Sequence, residues 1–552
     1  MNCRIFSVAS ATLVLASFLS SQSLAIPIAQ NDERTLPRNG AEQTINVLEN
    51  DSSTDVIAGV TPILTVVAVT APINAATGAA FGTTAINAAN QVVFTSPFEF
   101  DDTVETITFN YTVADEAGDT AVGLVTITLT GPLLTFAAGE NEIGVAATIE
   151  SVCDDFLDAT DAELSAGQTL LAEQCAIIEA IAGNNADNSE LLARVVDQIT
   201  PEETVAQTRL AIDNNRTQIK AVAQRVNQQR IARNTNGATR NYIALNGRGY
   251  VPEQTQAPGA GDESFGARPR FGLFASGQID TAERDRTDLE NGYDADTVGV
   301  VVGADYFLTN NFLVGSTVGY SQNDLEYNNS DGELDAKITT LSLFGAYFFG
   351  DFSLYAQGSF GWLDYASLRN ISYGSGDIGT EAVITSTTGG NQASLNTRAD
   401  WQWSKNALTV TPYVRFDYLA TQVNSYEEIG TSGLEQAIGD QESSQITAAL
   451  GLQASYVINM NWGVLTPNVE LSYLSEANSE RDPITARFVV DTDPSRIYSI
   501  SNDGGDTAFY QATLGASAIF PRGISAFFNY SGFFGYENLS ASQIQFGIRS
   551  EF

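Results

Sequence analysis

From Arg270 to Phe552 apolar side chains return at every second residue, run after run. Val298, Val300, Val302, Ala304, Tyr306 and Leu308 share one parity, while Gly299, Gly303 and Asp305 take the other; Val301 and Phe307 are exceptions. Leu408, Val410, Val414, Phe416 and Tyr418 oppose Thr409, Thr411, Tyr413, Arg415 and Asp417. Leu450, Leu452, Ala454, Tyr456 and Ile458 oppose Gly451, Gln453 and Ser455. Ile544, Phe546, Ile548 and Phe552 oppose Gln543, Gln545, Gly547, Arg549 and Glu551. A period of two is that of a strand. A soluble sandwich would not turn Arg415, Asp417, Arg549 and Glu551 inward; a wet lumen ringed by lipid would. A closed barrel is the one sheet a bilayer accepts, because hydrocarbon offers no partner to a free backbone edge.

The runs predict twelve strands, starting near residues 270, 294, 311, 335, 351, 390, 407, 443, 463, 506, 523 and 539. Tight links fall at Thr309-Asn310, Gly350, Lys405-Asn406, Met460 to Trp462 and Pro521-Arg522. Longer acidic links span Glu283 to Tyr293, Ile371 to Gly389, Val423 to Glu442 and Asn478 to Gly505. Short turns on one side and long loops on the other are the outer-membrane asymmetry, with the short turns periplasmic. Tyr306, Tyr347, Phe349, Tyr418, Tyr456, Tyr530 and Tyr536 stand near strand ends, as interface girdles require.

The first half is of another kind. Arg4, the apolar stretch Ile5 to Leu19 and Ser23-Leu24-Ala25 read as a signal peptide over residues 1–25. Apart from it no apolar run is long enough for a spanning helix. Residues 26–132 are rich in β-branched runs: Leu64 to Val69, Val92 to Phe94, Ile107 to Val113 and Leu124 to Leu129, with Asp115 to Asp119 turning between the last two. Short strands at this spacing predict a β-sandwich. The elements Asn46 to Asp51, Leu64-Thr-Val and Phe109-Asn-Tyr-Thr-Val-Ala-Asp115 resemble the cadherin-like and VCBS-type bacterial Ig modules. Calcium is the cofactor this resemblance raises, with Asp51, Asp101, Asp102, Asp115 and Asp119 as oxygen donors; no dense ligand spacing accompanies them, and solvated turn aspartates are the better account.

Residues 133–199 form a helical segment, with helical spacing over Cys153 to Ala182 and Ser189 to Ile199. Cys153 and Cys175, an even pair in an exported chain, predict a disulfide. Residues 200–269 hold a linker helix and connector. Thr200, Pro201 and Glu203 read as N-cap, first helical residue and capping-box partner of a helix running to Arg233, about 50 Å long at 1.5 Å per residue. Its one apolar stripe, Val205, Ile212, Ile219 and Val226, is too thin for an ordinary core. A water-filled lumen or half of a coiled-coil seam would each suit it.

Charge and composition remove several functions. A formal charge of −40 leaves no basic surface for nucleic acid. The absence of histidine excludes Ser-His-Asp and Cys-His hydrolysis and His-ligated metal sites, so an enzyme is not expected.

The order of an exported β module, a helical segment, and a twelve-strand barrel over residues 270–552 closing on Phe552 resembles the autotransporters of type V secretion. The resemblance implies a mainly β chain anchored in outer-membrane lipid as a monomer, exported by the Sec machinery and read by the barrel-assembly machinery through Ile544, Phe546, Ile548 and Phe552; Ser550 departs from the family's apolar pattern. It implies a displayed Ig-like passenger with an unknown surface ligand, acting in adhesion or recognition. The alternative is an outer-membrane pore or structural barrel whose Ig-like module stays periplasmic. Some autotransporters cleave themselves by cyclisation of an asparagine in the helix, and Asn214-Asn215 is the one candidate pair.

Overall fold

The computed structural model describes residues 27–38, 42–53, 63–97, 105–159, 164–183, 189–233, 270–328, 330–375, 378–504, 508–520 and 524–551. The expected signal peptide, Asp101, Asp102, the connector 234–269 and Phe552 lie outside the described residues. The chain divides into two compact units, one ending at Thr130 and one starting at Gly131.

The first unit is a β-sandwich. Strands Asp32–Pro37, Thr120–Thr130, Glu105–Ala114 and Thr65–Val69 lie side by side in one sheet, the first two parallel. Glu42–Ile45, Val92–Thr95 and Thr83–Ile86 form a second sheet. Alternation sends Ile107, Phe109, Tyr111 and Val113 inward with Val125, Ile127 and Leu129, onto Ile45, Val47, Val92 and Phe94. Every one of these is buried, and the Tyr111 hydroxyl donates out of the packed core to Gln30 O at 2.7 Å.

The second unit is a closed antiparallel barrel. Its strands are β1 (Phe271–Arg284), β2 (Tyr293–Phe307), β3 (Phe312–Tyr327), β4 (Glu333–Phe349), β5 (Phe352–Ser375) and β6 (Ile378–Trp401). They continue as β7 (Leu408–Val423), β8 (Gln441–Tyr456), β9 (Gly463–Arg481), β10 (Phe509–Ile519), β11 (Ile524–Phe534) and β12 (Leu539–Glu551). Consecutive strands pair, and β1 pairs β12 in register Gly277 to Phe546, which closes the wall. Val298, Val300, Val302, Leu341, Leu343, Val414, Leu450, Leu452 and Ile548 are exposed on the outside, where lipid would cover them. Arg415, Asp417 and Arg549 face inward. Near the short turns Phe312, Tyr347, Phe349, Phe352 and Trp401 run ring to ring at 5.7 to 6.4 Å, a continuous stretch of girdle. Tyr536 does not join a girdle; it packs edge-on to buried Phe509 at the long-loop end.

Above the outer apolar band of β1 to β4, towards the long loops, the outward positions become acidic. Glu283 stands opposite Asp294, Asp294 opposite Glu326, and Glu326 opposite Glu333. One pleat lower, Asp296 faces Asp324 and Asp324 faces Asp335. All are exposed. Like charges directly opposite are unfavourable, and water makes them tolerable.

Helices α1 (Glu140–Asp158), α2 (Ala166–Gly183) and α3 (Ser189–Ile199) precede a 3₁₀ turn, Glu202–Val205, and the long helix α4 (Ala206–Arg233). The expected helix from Cys153 to Ala182 is two helices. One unbroken helix would hold those cysteines about 33 Å apart; their Cα atoms are 5.4 Å apart, bridged as a disulfide between α1 and α2. The expected capping box at Thr200 is also absent. The Thr200 hydroxyl donates backwards to the Val196 carbonyl, closing α3, and the first turn after Pro201 is 3₁₀. A threonine hydroxyl serves a preceding carbonyl as readily as a following amide.

Three of the four expected long loops are folded. β5 and β6 continue to pair with each other through Ser375 and Ile378, so the sixth strand begins at Ile378 rather than near 390. Ile371, Tyr373 and Ile384 are buried there, and β-branched residues carry the extension. Within 423–442 and 478–505, strands Tyr426–Glu427, Gln436–Ile438, Ile484–Phe488 and Tyr498–Ile500 make a four-stranded sheet. α1 packs on its Tyr498–Ile500 edge, while α2 and α3 pack on the hairpin. Among the described residues no helix is long and apolar enough to cross a membrane.

Candidate functional site

The site is the lumen, and α4 fills it. Its 28 residues span about 42 Å at 1.5 Å each, more than the roughly 30 Å of a hydrocarbon core. Of the expected stripe, Val226 joins the packed wall, while Ile212 and Ile219 are buried beside a lumenal hollow; the packing side of α4 is made of other residues as well. Leu210 and Ala211 join Tyr293, Leu325, Leu363 and Tyr365; Val222 and Val226 join Phe274, Leu313, Phe344 and Tyr355. Hydroxyl groups of the wall take up backbone carbonyls of the helix approach: Tyr327 donates to Glu203 O at 2.8 Å and Tyr365 to Gln207 O at 2.8 Å.

The rest of the helix is a ladder of cations. Arg209, at the long-loop end, makes a paired contact with Glu290, with Nε at 2.6 Å. Arg216 reaches Glu476 at 2.5 Å and Asp213 at 3.2 Å. Lys220 donates to Gln543 at 2.7 Å and to Ser531 at 3.2 Å. Arg225, at the short-turn end, pairs with both carboxylate oxygens of Asp305 through Nε and Nη2, and its Nη1 lies 3.8 Å from Glu551. A Cβ on Gly272 would come within 2.7 Å of Arg225 Nη2, so a glycine opens room for that pair. Buried charges need partners with good geometry, and this ladder fixes both the depth and the rotation of α4. Arg209, Arg216, Lys220, Arg225, Arg230 and Arg233 against Asp213 make α4 the basic element of a chain of −40. That contrast was present in the sequence and would have assigned the helix to an acidic lumen.

α4 leans on β3 to β7. On its other side two small hollows remain, about 30 and 60 Å³, both lined by Arg216, Lys220, Gln511 and Phe533.

At the long-loop mouth the helices are clipped to the barrel. Asn141 of α1 donates to Leu289 O at 3.0 Å and Ser501 O at 2.9 Å, and accepts from Ser501 N at 2.6 Å. Gln174 of α2 accepts from Tyr373 at 3.0 Å. Arg369 of β5 donates to the Gln198 and Ile199 carbonyls of α3 while pairing with Glu428. Beneath them, Glu202 and Glu203 are buried. Burial pushes Glu202 up to about 8 against the pull of Arg286, with Glu203, Glu142 and Asp197 adding to the rise. Burial pushes Glu203 up to about 7 against Arg369, with Glu428 adding to it.

The other candidate residues stand as follows. Asn214 is buried in the lumen, its side-chain oxygen accepting from Ser321 Oγ at 2.6 Å; Asn215 is buried beside it. Both sit inside the regular helix. Asp51 accepts from Gln30 N at 2.7 Å and lies 2.9 Å from the Tyr111 hydroxyl, while Asp115 accepts from Ala117 and Asp119 N in its own turn. Asp115 closes its own turn, whereas Asp51 ties together distant segments of the chain. Among the described residues no group of three or more acidic or cysteine side chains is placed to hold a metal. Phe546 and Ile548 are exposed on the outside of β12, with Ile544 half-buried between neighbours.

Residues 273–531 match the family model described as autotransporter beta-domain, and residues 25–128 the one described as bacterial Ig domain. "Outer membrane protein B" of Rickettsia typhi is 28% identical over 259 residues, which is 44% of this chain and 15% of that protein. An "Extracellular serine protease" of Serratia marcescens is 30% identical over 170 residues, 30% of this chain and 15% of that one. The chain thus spans a small fraction of the curated relatives it matches. Among solved structures, the translocator domain of autotransporter NalP from Neisseria meningitidis covers 51% of this chain and 89% of its own at 16% identity, with a TM-score of 0.40.

Proposed function

Starting from a C-terminal half that is an autotransporter β-domain in the outer membrane, we propose that this barrel anchors and exports the Ig-like module preceding it, which acts at the cell surface in adhesion or recognition. The supporting observation is the direction of α4. Arg209 meets Glu290 in the link between β1 and β2, and Arg225 meets Asp305 close to the Thr309-Asn310 turn. The helix therefore runs from the long-loop side down to the short-turn side, where β1 begins. Everything N-terminal to it starts from the outer face, which favours a displayed module over a periplasmic one. Sec export, reading of Ile544, Phe546 and Ile548 by the barrel-assembly machinery, and a monomeric anchor belong to the same reading. We assign the chain no reaction and the module no resident metal. Asn214 and Asn215 are then structural, and a cell-surface chain of intact mass is expected; a fragment ending at either asparagine would replace this with self-release.

Proteinase K treatment of intact cells tests the display. Loss of an epitope in residues 63–97 from unpermeabilised cells is expected. Its survival until the outer membrane is opened would move the module to the periplasm.

A further inference from the structure

The three helices that precede α4 in the chain are fitted to the barrel more closely than a spacer needs to be. Each of the four long links is engaged. In the β1–β2 link, the Leu289 carbonyl takes a hydrogen bond from Asn141, and Arg286 pairs with Asp197 and lies 3.5 Å from Glu142. On the β5–β6 extension, Tyr373 and Thr380 both donate to Gln174. In the β7–β8 link, Gln436 donates to the Ile199 carbonyl at 2.7 Å, and a Cβ on Gly433 would stand 2.5 Å from the Leu171 amide nitrogen. In the β9–β10 link, Arg496 pairs with Asp155 and donates to Ser151 at 3.1 Å.

The fit extends to the backbone. A Cβ on Gly139 would run into the Asp288 carbonyl, so a glycine lets the start of α1 sit on the β1–β2 link. Beneath the helices the chain enters the barrel shielded from solvent: every residue from Thr200 to Leu210 is buried. An open mouth would leave that entry wet. The helices depend on the links in return. Leu171, Ile178, Val195 and Ile199 are buried, yet a segment of about 60 residues is marginal on its own. The Cys153–Cys175 bridge and the loop strands against which α1, α2 and α3 pack supply what it lacks.

We infer that α1 to α3 are a lid belonging to the anchor rather than to its cargo. The lid rests on all four long links, covers the point where α4 enters the lumen, and stays with the barrel. The cargo proper is the sandwich, which ends at Thr130. This rests on the reading that the long-loop side is outside. It gives a role to a stretch that neither family match includes, since these cover residues 25–128 and 273–531. It also accounts for acidic groups of the helices, because Glu142, Asp155 and Asp197 are the ones that meet arginines of the links.

Paired cysteines in the full-length chain test the seat of the lid. A Cβ on Gly144 would lie 3.4 Å from that of Tyr498, and one on Gly167 3.6 Å from that of Val490. Bridged cysteines hold these atoms about 3.5–4.5 Å apart. Gly144→Cys/Tyr498→Cys and, separately, Gly167→Cys/Val490→Cys are expected to cross-link in most molecules that migrate as heat-modifiable barrels, beside the native bridge, as read by mass spectrometry of the joined peptides. Thr204→Cys, at a buried position under the lid, is expected to react with an impermeant maleimide on intact cells about tenfold more slowly, or slower still, than Glu283→Cys on the exposed outer wall. Failure of either pair to cross-link in heat-modifiable barrels, or a Thr204→Cys as reactive as Glu283→Cys, would overturn the lid. A Glu283→Cys that reacts only after the outer membrane is opened would instead overturn the orientation on which display rests, and the cross-links in the purified chain would still report the lid.

Discussion

The sandwich and the barrel are written in the same alternating code and solve opposite problems. In the sandwich, Ile107, Phe109, Val125 and Ile127 turn inward and exclude water, and polar residues turn out. In the barrel, Val300, Leu341 and Leu450 turn outward, and Gln445, Arg415, Asp417 and Arg549 turn in. Period two specifies a strand with two unlike faces; it does not say which face meets water. What decides it is charge on the smaller-residue face. A sheet that puts guanidinium groups on its concave side can close only around something polar, here α4.

The difference is sharpest in how each interior responds to damage. Removing one half of a buried ion pair strands the other, so Arg225→Ala should cost about 3–5 kcal/mol of barrel stability, read from the temperature at which heat-modifiable migration is lost. Replacing the pair together, Arg225→Met with Asp305→Leu, should restore most of it; if the double variant is as weak as the single, the pair is not what holds the foot of α4. In the sandwich, Ile127→Ala should cost about 2–5 kcal/mol through a cavity, and Leu341→Ala on the lipid-facing wall far less, by the same denaturation measurement. Equal losses would erase the contrast between the two interiors.

Cys153→Ser releases the bridge between α1 and α2, which closes a 22-residue separation. About 3 kcal/mol of constraint is lost, visible as faster proteolysis of residues 140–183 while the barrel stays heat-modifiable. The mouth is also sensitive to pH. Glu202 and Glu203 have folded values of about 8 and about 7, raised above an unfolded value near 4.5. The folded form therefore holds more protons between these limits. Docking of the helices at the mouth is strongest below about pH 4.5, weakens as pH rises through 7 to 8, and levels off above that. Glu202→Gln should flatten this slope and raise the alkaline midpoint by a few degrees; an unchanged slope would show that the carboxyl is hydrated.

Much of this was legible. The twelve strands follow from alternation because each wall residue meets either lipid or lumen, and nothing in between blurs the signal. The stretches beyond the membrane were not. Ile371 to Gly389 reads as a loop since its residues are polar and glycine-flanked, yet its buried face is completed by α2 and α3, a long-range contact that local pattern does not carry. Thr200 misled for the same reason: its hydroxyl had two backbone partners to choose from. Within the site, α4 announced its polarity and its length, and even its cations, but their depth-matched partners Glu290, Glu476 and Asp305 lie 81, 260 and 80 residues away.

The paired carboxylates above the apolar band of β1 to β4 have a mechanical consequence. Asp296, Asp324 and Asp335 stand directly over Val298, Gln322 and Lys337 on the outer wall. Sinking the barrel by one pleat would drag that entire row towards hydrocarbon at once, and the row above would follow. Each carboxylate resists, and because they are aligned across strands they resist together. The aromatic girdle at the other end opposes displacement the opposite way. Held between a floor of rings and a collar of charge, the barrel has a set height in the membrane.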